Sequence, residues 1–326
     1  TTISMLRGEE GYQNKELDRL TTWLAQKERP DVVCLSNVLL AGMARRIRQV
    51  LDVPIVCLLE DEDEFLDALP ESKRDEAWEL LVQRAADIDM FIAVSQYFAQ
   101  VMQKRLRLKA ERLRVVRPGI PKDDFTPADQ PPSLPTIGYL SRMCRDKGLD
   151  VLVEAFIILK QNERLKDIRL CAAGGKTAYD DPYLDKIRSR LNSSGFMDSV
   201  EFLEKYHFAD RYSFLRGLTV LSVPEKQAPA YGLYALESLA MGVPIVQPPS
   251  GVFPELQQEI PDGITLTKSN DPEAFAAALE PLLLDPDAAR ERGLRGRKKV
   301  LEKFNLNKTC SEMIEVFQLS AKLSQS

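Results

Sequence analysis

Short runs of β-branched and apolar residues alternate along this chain with longer stretches that have helical spacing. PDVVCLS, VPIVCLL and MFIAVS are each followed by such a stretch, for example DEAWELLVQRAADI. Strands that alternate with helices indicate a parallel sheet, because the chain must return through a crossover before it can add the next parallel strand. The pattern therefore predicts an α/β fold.

The alternation stops once and then restarts. The segment RPGIPKDDFTPADQPPSLP contains six prolines, and proline interrupts both helices and sheets. Beyond it the alternation resumes with PTIGYLS and continues to PIVQP. We therefore predict a first α/β domain, a linker, a second α/β domain and a carboxyl-terminal helix that packs back on the first domain, over residues 1–118, 119–134, 135–305 and 306–326.

The first predicted domain is short for its class. About three or four strands precede the linker, against five or six in a typical doubly wound sheet. The chain also opens on a polar helix around Lys15 to Lys27 instead of on a buried strand. We therefore expect the N-terminal sheet to be incomplete and residues that precede Thr1 to be absent.

Length, charge and hydropathy limit the class of protein. The chain has 326 residues, which suits about two globular domains of 100–200 residues each. Its formal net charge of -5 argues against a nucleic-acid partner and gives no support to peripheral membrane contact. No apolar stretch approaches the ~18 residues of a membrane span, and TTISMLRGEEG lacks the features of a signal peptide.

The cysteines point to a reducing compartment. The chain has five, an odd number, and they are widely separated and mostly embedded in apolar runs such as IVCLL and RLCAA. This distribution predicts buried thiols instead of disulfides or zinc ligands. We therefore expect a cytoplasmic protein.

A basic stretch, GYLSRMCRDKGLD, follows the first strand of the second domain. Ser141, Arg142 and Lys147 fall in the loop at the carboxyl end of that strand, which is where open α/β sheets bind ligands. Arginine offers a planar fork to phosphate oxygens, and lysine offers a mobile point charge. The pair is consistent with a diphosphate site, although a solvated loop with two ordinary surface charges fits this stretch equally well.

A second candidate anion site lies in AYGLYALESLAMGVPIV. Apolar residues at helical spacing begin at Leu233, so the helix opens at Gly232, and Gly242 ends it. Backbone amides at the start of a helix, with the positive end of its dipole, attract anions, and a side chain at the glycine position would obstruct them. Glu237 is either a carboxylate that faces the ligand or a plain exposed helix residue.

These motifs resemble a known family. GYLSRMCRDKGLDVLVEAF and GLYALESLAMGVPIVQPPSGVFPEL, with RVVRPGI between the domains, are similar to the donor-binding domain of retaining GT-B-fold glycosyltransferases. This family-four-like group, glycosyl transferases group 1, includes sucrose synthases and many bacterial sugar transferases. The resemblance extends from Pro30 to the carboxyl terminus, and it implies two doubly wound Rossmann-like domains that face each other across a cleft.

The resemblance also implies roles for individual residues. Arg142 and Lys147 match the basic pair that holds the donor diphosphate. Gly232 and Leu233 match the backbone amides at the phosphate, and Glu237 matches the glutamate that binds the nucleotide ribose. The implied reaction moves a hexose-type sugar from a nucleotide-diphosphate donor to an unidentified acceptor, without a cofactor. It needs no metal if the cations and the helix start stabilise the departing diphosphate.

Two positions depart from the family pattern. The family glutamate that lies near the transferred sugar, eight positions before Glu237, is replaced by Pro229. Glu225 or Gln227 would reach the site only if the intervening loop folds differently. The place of a frequent family histidine in the first domain is taken by Glu60, our candidate catalytic residue. A catalytically silent relative that binds nucleotide sugars or protein partners is therefore the alternative function.

Three other features carry weaker signals. His207, the single histidine, lies in the second domain and is expected to be structural. The run Asp61–Asp63 is similar to a metal-binding acidic motif of another glycosyltransferase fold, but a solvated acidic loop before a helix is the preferred interpretation. The basic run RERGLRGRKK is expected to be an exposed helix face.

Overall fold

The structure is a computed structural model that describes residues 2–204, 207 and 210–323. The chain divides into two compact units. The first consists of the residues up to Pro118 together with those from Asn307 onward, and the second is Gly119–Leu306.

The first unit is built on a parallel sheet with the strand order β1-β2-β3-β4. Its strands are short, and the two central ones are mostly buried, as expected of apolar, β-branched runs covered by helices. They are β1 (Val33–Leu35), β2 (Ile55–Leu59), β3 (Met90–Ala93) and β4 (Leu113–Val115). The helices before Pro118 are α1 (Thr2–Arg7), α2 (Asn14–Trp23), α3 (Ala44–Leu51), α4 (Glu62–Asp67), α5 (Glu71–Arg84) and α6 (Gln96–Arg105).

The carboxyl-terminal helix α14 (Leu306–Leu323) contributes to the core of the first unit. Val316 is buried in a cluster with Val56, Ile92 and other residues of β2 and β3. The hydroxyl of Thr309 donates a 2.8 Å hydrogen bond to the backbone carbonyl of Arg117. The last helix thus covers strands that lie more than two hundred residues earlier in the chain.

The second unit contains a six-stranded parallel sheet in its described residues, with the order β10-β9-β8-β5-β6-β7. The strands are β5 (Thr136–Leu140), β6 (Arg169–Ala173), β7 (Val200–Leu203), β8 (Val220–Ser222), β9 (Ile245–Gln247) and β10 (Ile264–Leu266). The helices are α7 (Leu149–Leu159), α8 (Asp181–Ser194), α9 (Arg211–Arg216), α10 (Leu233–Ala240), α11 (Phe253–Glu259), α12 (Pro272–Leu284) and α13 (Pro286–Lys303).

The strand order of the second sheet reverses between β5 and β8. These strands are hydrogen-bonded neighbours, but the chain leaves β5 toward β6 and leaves β8 toward β9. The loops after them therefore diverge, which opens a crevice at the carboxyl edge of the sheet. Tyr139, Phe156, Leu170 and Phe275 are among the fully buried residues that form the core around it.

The proline-rich segment predicted as a linker lies within the second unit. Phe125 is fully buried. Its carbonyl accepts a hydrogen bond from Arg297, and the carbonyl of Ala128 accepts one from Arg290. The segment forms a short 3-10 helix, Lys122–Asp124, and its prolines do not prevent it from packing.

Arg290, Arg292 and Arg297 of the basic run on α13 are half-buried, so the expectation of a simple exposed face is wrong for these three arginines. Arg297 also donates to the carbonyl of Ala240 at the end of α10 (2.8 Å), and Arg292 donates to the hydroxyl of Thr265 (3.0 Å). The solvent-exposed part of the run includes Lys298.

The cysteine prediction is partly wrong. Cys57 and Cys144 are buried and Cys171 is half-buried, but Cys34 and Cys310 are exposed. Exposure of Cys34 arises because β1 is an edge strand that is covered on fewer sides than β2. Within the described residues, no helix combines the length and the apolar character needed to cross a membrane.

Candidate functional site

Arg142 lies in the loop that follows β5, and Asp180 holds its side chain. The guanidinium donates to the Asp180 carboxylate at 3.0 and 3.3 Å and to the hydroxyl of Thr177 at 3.4 Å. The arginine side chain is 54% exposed, whereas that of Asp180 is 9% exposed. The carboxylate therefore fixes one edge of the Arg142 guanidinium and leaves much of the arginine side chain open to solvent.

Asp180 is suited to this role because its charge is stabilised locally. Burial opposes ionisation of Asp180, but hydrogen bonds from the backbone and hydroxyl of Thr177 and from Arg142 outweigh burial and lower the pKa of Asp180. The hydrogen bond to Asp180 in turn raises the pKa of Arg142. Gly174, at φ +145°, lets the backbone after β6 lie against the backbone of Ser141, because a Cβ on Gly174 would lie 1.9 Å from the carbonyl oxygen of Ser141.

Lys147, from the same loop, forms an ion pair with Glu225 in the loop that follows β8. The ammonium lies 2.5 Å from one carboxylate oxygen of Glu225, and the hydroxyl of Tyr234 donates to the other at 2.7 Å. Glu225 is 2% exposed. Its backbone carbonyl accepts a hydrogen bond from the side-chain amide of Asn270, so both ends of the residue are held.

The backbones of these two loops also touch. The Lys226 amide donates to the carbonyl of Asp146 at 2.8 Å. Gly148 has φ +70°, and a Cβ there would lie 1.9 Å from the carbonyl oxygen of Pro224. Since β5 and β8 border the reversal of strand order, this contact places Lys147 and Glu225 at the crevice that such sheets use for ligands.

Helix α10 begins beside the same loop. Gly232 adopts φ +81°, and a Cβ would lie 3.3 Å from the ring of Phe253. Leu233, the first helical residue, is 44% exposed and so does not belong to the buried stripe that the sequence indicated. The first amides of a helix have no acceptor within the helix, and Tyr234 ties this turn to Glu225.

Glu237 is buried, so the alternative of a plain exposed helix residue is wrong. One of its carboxylate oxygens lies 3.1 Å from a guanidinium nitrogen of Arg211, and the guanidinium also stacks over the ring of Tyr212 at 4.7 Å. Burial raises the pKa of Glu237, and Arg211 opposes this shift. The carboxylate is thus anchored one turn into α10, where it is covered by protein on most sides.

Pro229 occupies a packed turn and contributes no carboxylate. Its backbone carbonyl accepts a 3.0 Å hydrogen bond from the amide of Val252, and a Cβ on Gly251 would collide with its backbone. Gln227 is exposed. Of the two residues that the sequence offered in place of the family glutamate, Glu225 is the one whose carboxylate contacts Lys147.

Glu60 lies in the first unit, directly after β2, and its side chain is largely exposed. Residual burial and the charge of Asp61 raise the pKa of Glu60. The interpretation of the whole run as a solvated loop is wrong for Glu62, which is buried and accepts hydrogen bonds from the amides of Val38 and Glu60. Glu62 therefore shapes the turn that presents Glu60.

His207 is exposed, and its backbone amide donates to the carboxylate of Asp210 at 3.2 Å. This hydrogen bond belongs to the turn before α9 and is made by the backbone of His207, not by its imidazole.

Several side chains that contact the predicted site residues or their partners were not predicted from the sequence. Asp180, Tyr234 and Arg211 were not singled out, and Glu225 was considered only as a substitute for a missing glutamate. Glu225 lies 78 positions beyond Lys147 in the chain. Sequence spacing alone carries no signal for such a contact; the order of strands β5 and β8 in the sheet creates it.

Two family models match this chain. Residues 6–124 match "Glycosyltransferase Family 4", and residues 134–285 match "Glycosyl transferases group 1". The matches fall on the two units separately and together span most of the chain. Each unit of the chain therefore matches a domain of a glycosyltransferase family.

Curated proteins with similar sequences are named as glycosyltransferases or as synthases of phosphorylated sugars. The D-inositol 3-phosphate glycosyltransferase of Xylanimonas cellulosilytica is 27% identical over 274 residues, which is 78% of this chain and 58% of the relative. The alpha-maltose-1-phosphate synthase of Mycolicibacterium smegmatis is 26% identical over 254 residues, covering 71% of this chain and 63% of the relative. The chain thus spans less than two thirds of the length of these relatives.

Solved structures share the fold. Sucrose-phosphate synthase from Thermosynechococcus elongatus superposes with a TM-score of 0.77 at 19% identity, covering 96% of this chain and 81% of that one. Anabaena Alr3699/HepE in complex with UDP gives 0.81 at 15% identity, covering 95% and 84%. The prediction of the GT-B class, with two parallel-sheet α/β domains, is confirmed.

Proposed function

We propose that this chain is a glycosyltransferase that moves a sugar from a nucleotide-diphosphate donor to an acceptor still to be identified. The observation that carries the proposal is the meeting of the Lys147 loop with the start of α10, through Glu225 and Tyr234. Cations and helical amides at a reversal of strand order are a suitable site for a diphosphate. Relatives named as glycosyltransferases support the reaction class.

The residues have the properties that such a transfer needs. When the bond between the anomeric carbon and the diphosphate breaks, negative charge grows on the departing group. Arg142, Lys147 and the first amides of α10, at Gly232 and Leu233, would stabilise that charge. Glu237 would accept hydrogen bonds from the ribose hydroxyls. Its anchoring by Arg211 fits such a role, because a fixed acceptor loses little entropy when the ligand binds.

Structural neighbours suggest which donors to test first. Anabaena Alr3699/HepE has been solved with UDP and with UDP-glucose. We therefore propose a nucleotide sugar as the donor of this chain, with UDP-glucose as the first candidate. We further propose that the anomeric configuration is retained and that side-chain cations, instead of a divalent metal, stabilise the leaving group.

Release of nucleoside diphosphate tests this function. The full chain is incubated with UDP-glucose, ADP-glucose or GDP-mannose and a panel of acceptors, including inositol phosphates and maltose-type sugars. We expect diphosphate release that depends on an acceptor and persists in EDTA, with a product whose anomeric configuration, determined by NMR, matches that of the donor. An inverted product would overturn the retaining mechanism, and loss of turnover in EDTA would overturn the metal-free one.

Pro229 gives a specific reason to test the silent alternative in the same assay. The position that carries a glutamate in the family pattern has no carboxylate here, and Glu225 is engaged with Lys147. Donor binding in calorimetry without any diphosphate release, across all acceptors, would favour a nucleotide-sugar-binding protein over an enzyme.

A further inference from the structure

Each cation of the candidate donor site is already paired with a carboxylate of the protein. Arg142 contacts Asp180, Lys147 contacts Glu225, and Arg211 contacts Glu237. In the first two pairs the carboxylate is far less exposed than the cation, at 9% against 54% and at 2% against 23%. The fixed negative charges therefore lie behind the positive groups, where solvent screens them poorly.

Glu225 adjoins both elements of the predicted diphosphate site, because it contacts Lys147 on one side and the first turn of α10, through Tyr234, on the other. A ligand that reaches Lys147 therefore approaches the charge of Glu225 as well. Each additional negative charge on the ligand gains less from the lysine than it would if that lysine had no acidic partner.

The two ligands of a transfer reaction differ in this charge. The diphosphate of a nucleotide sugar is esterified at both ends and carries two negative charges. A free nucleoside diphosphate has a terminal phosphate whose second pKa is about 6, so it carries a third charge at neutral pH. A site with unpaired cations would bind the free diphosphate more tightly, whereas a charge-balanced site would not.

We propose that Glu225 is a specificity-determining residue that makes the site discriminate against free nucleoside diphosphate and in favour of the intact nucleotide sugar. This inference rests on the proposed function. Its consequence is easier release of the nucleoside diphosphate after transfer, since the third charge appears only when the sugar has left. Glu225 acts here through its charge and its contact with Lys147, without touching the reacting carbon.

The test compares two dissociation constants, for UDP and for UDP-glucose, by calorimetry at pH 7.5. Glu225→Gln keeps the size of the side chain and removes its charge. We expect the ratio of the UDP Kd to the UDP-glucose Kd to fall by about fivefold to tenfold, from the Coulomb energy of one charge at roughly 10 Å in a partly screened site. The matched control is Glu154→Gln, which removes a carboxylate paired with Arg190 on an exposed face. We expect it to leave the ratio unchanged.

A second measurement uses the wild-type chain and does not depend on a variant that folds. Between pH 5.5 and 7.5 the terminal phosphate of UDP gains its charge, while UDP-glucose does not change. Three titratable groups face Glu225. They are Lys147 in the loop after β5, Tyr234 in α10 and Tyr139 in β5. Burial raises the pKa of Tyr139 well above its ordinary range, so this phenol keeps its proton throughout the measured pH range. Burial raises the pKa of Glu237, but any titration of Glu237 acts on both nucleotides and cancels in the ratio.

The charge-balanced site predicts that the Kd ratio of UDP to UDP-glucose rises with pH in the wild type. A ratio that falls or stays constant with pH, or one that Glu225→Gln leaves unchanged, overturns the role of Glu225 and leaves the proposed function intact. If the wild type binds neither UDP, ADP and GDP nor their sugar conjugates, the proposed donor site itself is wrong and this inference fails with it.

Discussion

The ammonium of Lys147 lies 2.5 Å from the carboxylate of Glu225, and this contact joins the loops that follow β5 and β8. Taking both charges out of water costs several kcal/mol, which their attraction repays only with good geometry. Tyr234 supplies a further hydrogen bond to the same carboxylate. The pair is therefore better understood as a device that fixes the position of Lys147 beside α10 than as a source of stability.

Removal of both loop cations tests the diphosphate site. We expect Arg142→Ala combined with Lys147→Ala to weaken UDP binding about 100-fold or more, since a hydrogen bond to a charged group contributes roughly 1.5–3 kcal/mol. Calorimetry measures the affinity, and circular dichroism confirms the fold. Arg190→Ala removes a cation from an exposed ion pair with Glu154 and should leave the affinity unchanged. Equal affinity in the double variant would contradict the assignment.

Gly232→Ala tests the helix start. The residue has φ +81° and the added methyl would lie 3.3 Å from the Phe253 ring, so we expect loss of UDP affinity and a destabilisation of about 1–2 kcal/mol. Gly195→Ala is a matched control, because Gly195 has φ +77° and no neighbouring atom within 4 Å of the added Cβ. Denaturant unfolding should show a cost in both variants. If both also lost the same affinity, the effect would be one of stability only.

Glu237→Gln tests the ribose contact. A neutral amide accepts hydrogen bonds less strongly than a carboxylate, so we expect UDP affinity to fall about tenfold, in line with a loss of roughly 1.5 kcal/mol. Inorganic pyrophosphate has no ribose, and its affinity should not change. Competition of both ligands against a fluorescent nucleotide measures the two values together. A parallel loss of pyrophosphate affinity would show that Glu237 acts on the phosphate side instead.

The parallel sheets and the positions of the loops were accessible to sequence reasoning. Alternating apolar runs identified the α/β fold because burial on both faces of a parallel strand leaves a continuous hydrophobic signature. Arg142 and Lys147 could be placed in the loop after β5 because both lie between one such run and the helical pattern that follows it. Gly232 marked the start of α10 because the apolar residues at helical spacing begin directly after it.

The contacts that complete the site were not accessible. Asp180 and Glu225 follow different strands, and their meeting with Arg142 and Lys147 depends on which strands become neighbours. Exposure was equally hidden: Leu233 fits a helical stripe but lies at the first turn, where the core no longer covers it. Local sequence patterns predict the secondary structure of a segment, whereas its tertiary contacts and its solvent exposure depend on the segments that pack beside it.

Asp180→Asn tests the support of Arg142 through its pH dependence. Burial would raise the pKa of Asp180, but Thr177 and Arg142 outweigh burial and lower it. Since the folded pKa is below the unfolded value of about 4, ionised Asp180 adds stability above pH 4 and loses this contribution as the pH falls through its folded pKa. The Tm gap between wild type and variant should therefore be largest at pH 7 and narrow below pH 4. Asp181→Asn removes a carboxylate that is more exposed than Asp180 and is paired with Lys176, and it should show a smaller gap. A gap for Asp180→Asn that stays constant to pH 3 would contradict this account.

The arginines of α13 separate structural support from surface charge. Arg297 donates to the carbonyls of Ala240 and Phe125, so Arg297→Met leaves two acceptors without this donor and should destabilise the second unit by about 1–3 kcal/mol. Lys298→Met removes an exposed neighbouring charge and should change stability by less than about 0.5 kcal/mol. Thermal unfolding measures the stability of both variants.

Sedimentation with anionic vesicles at low salt measures membrane contact of the same two variants. We expect neither variant to alter sedimentation, because the arginine is committed to backbone carbonyls. A loss of vesicle binding in Lys298→Met without loss of stability would instead identify the exposed part of the run as a docking surface.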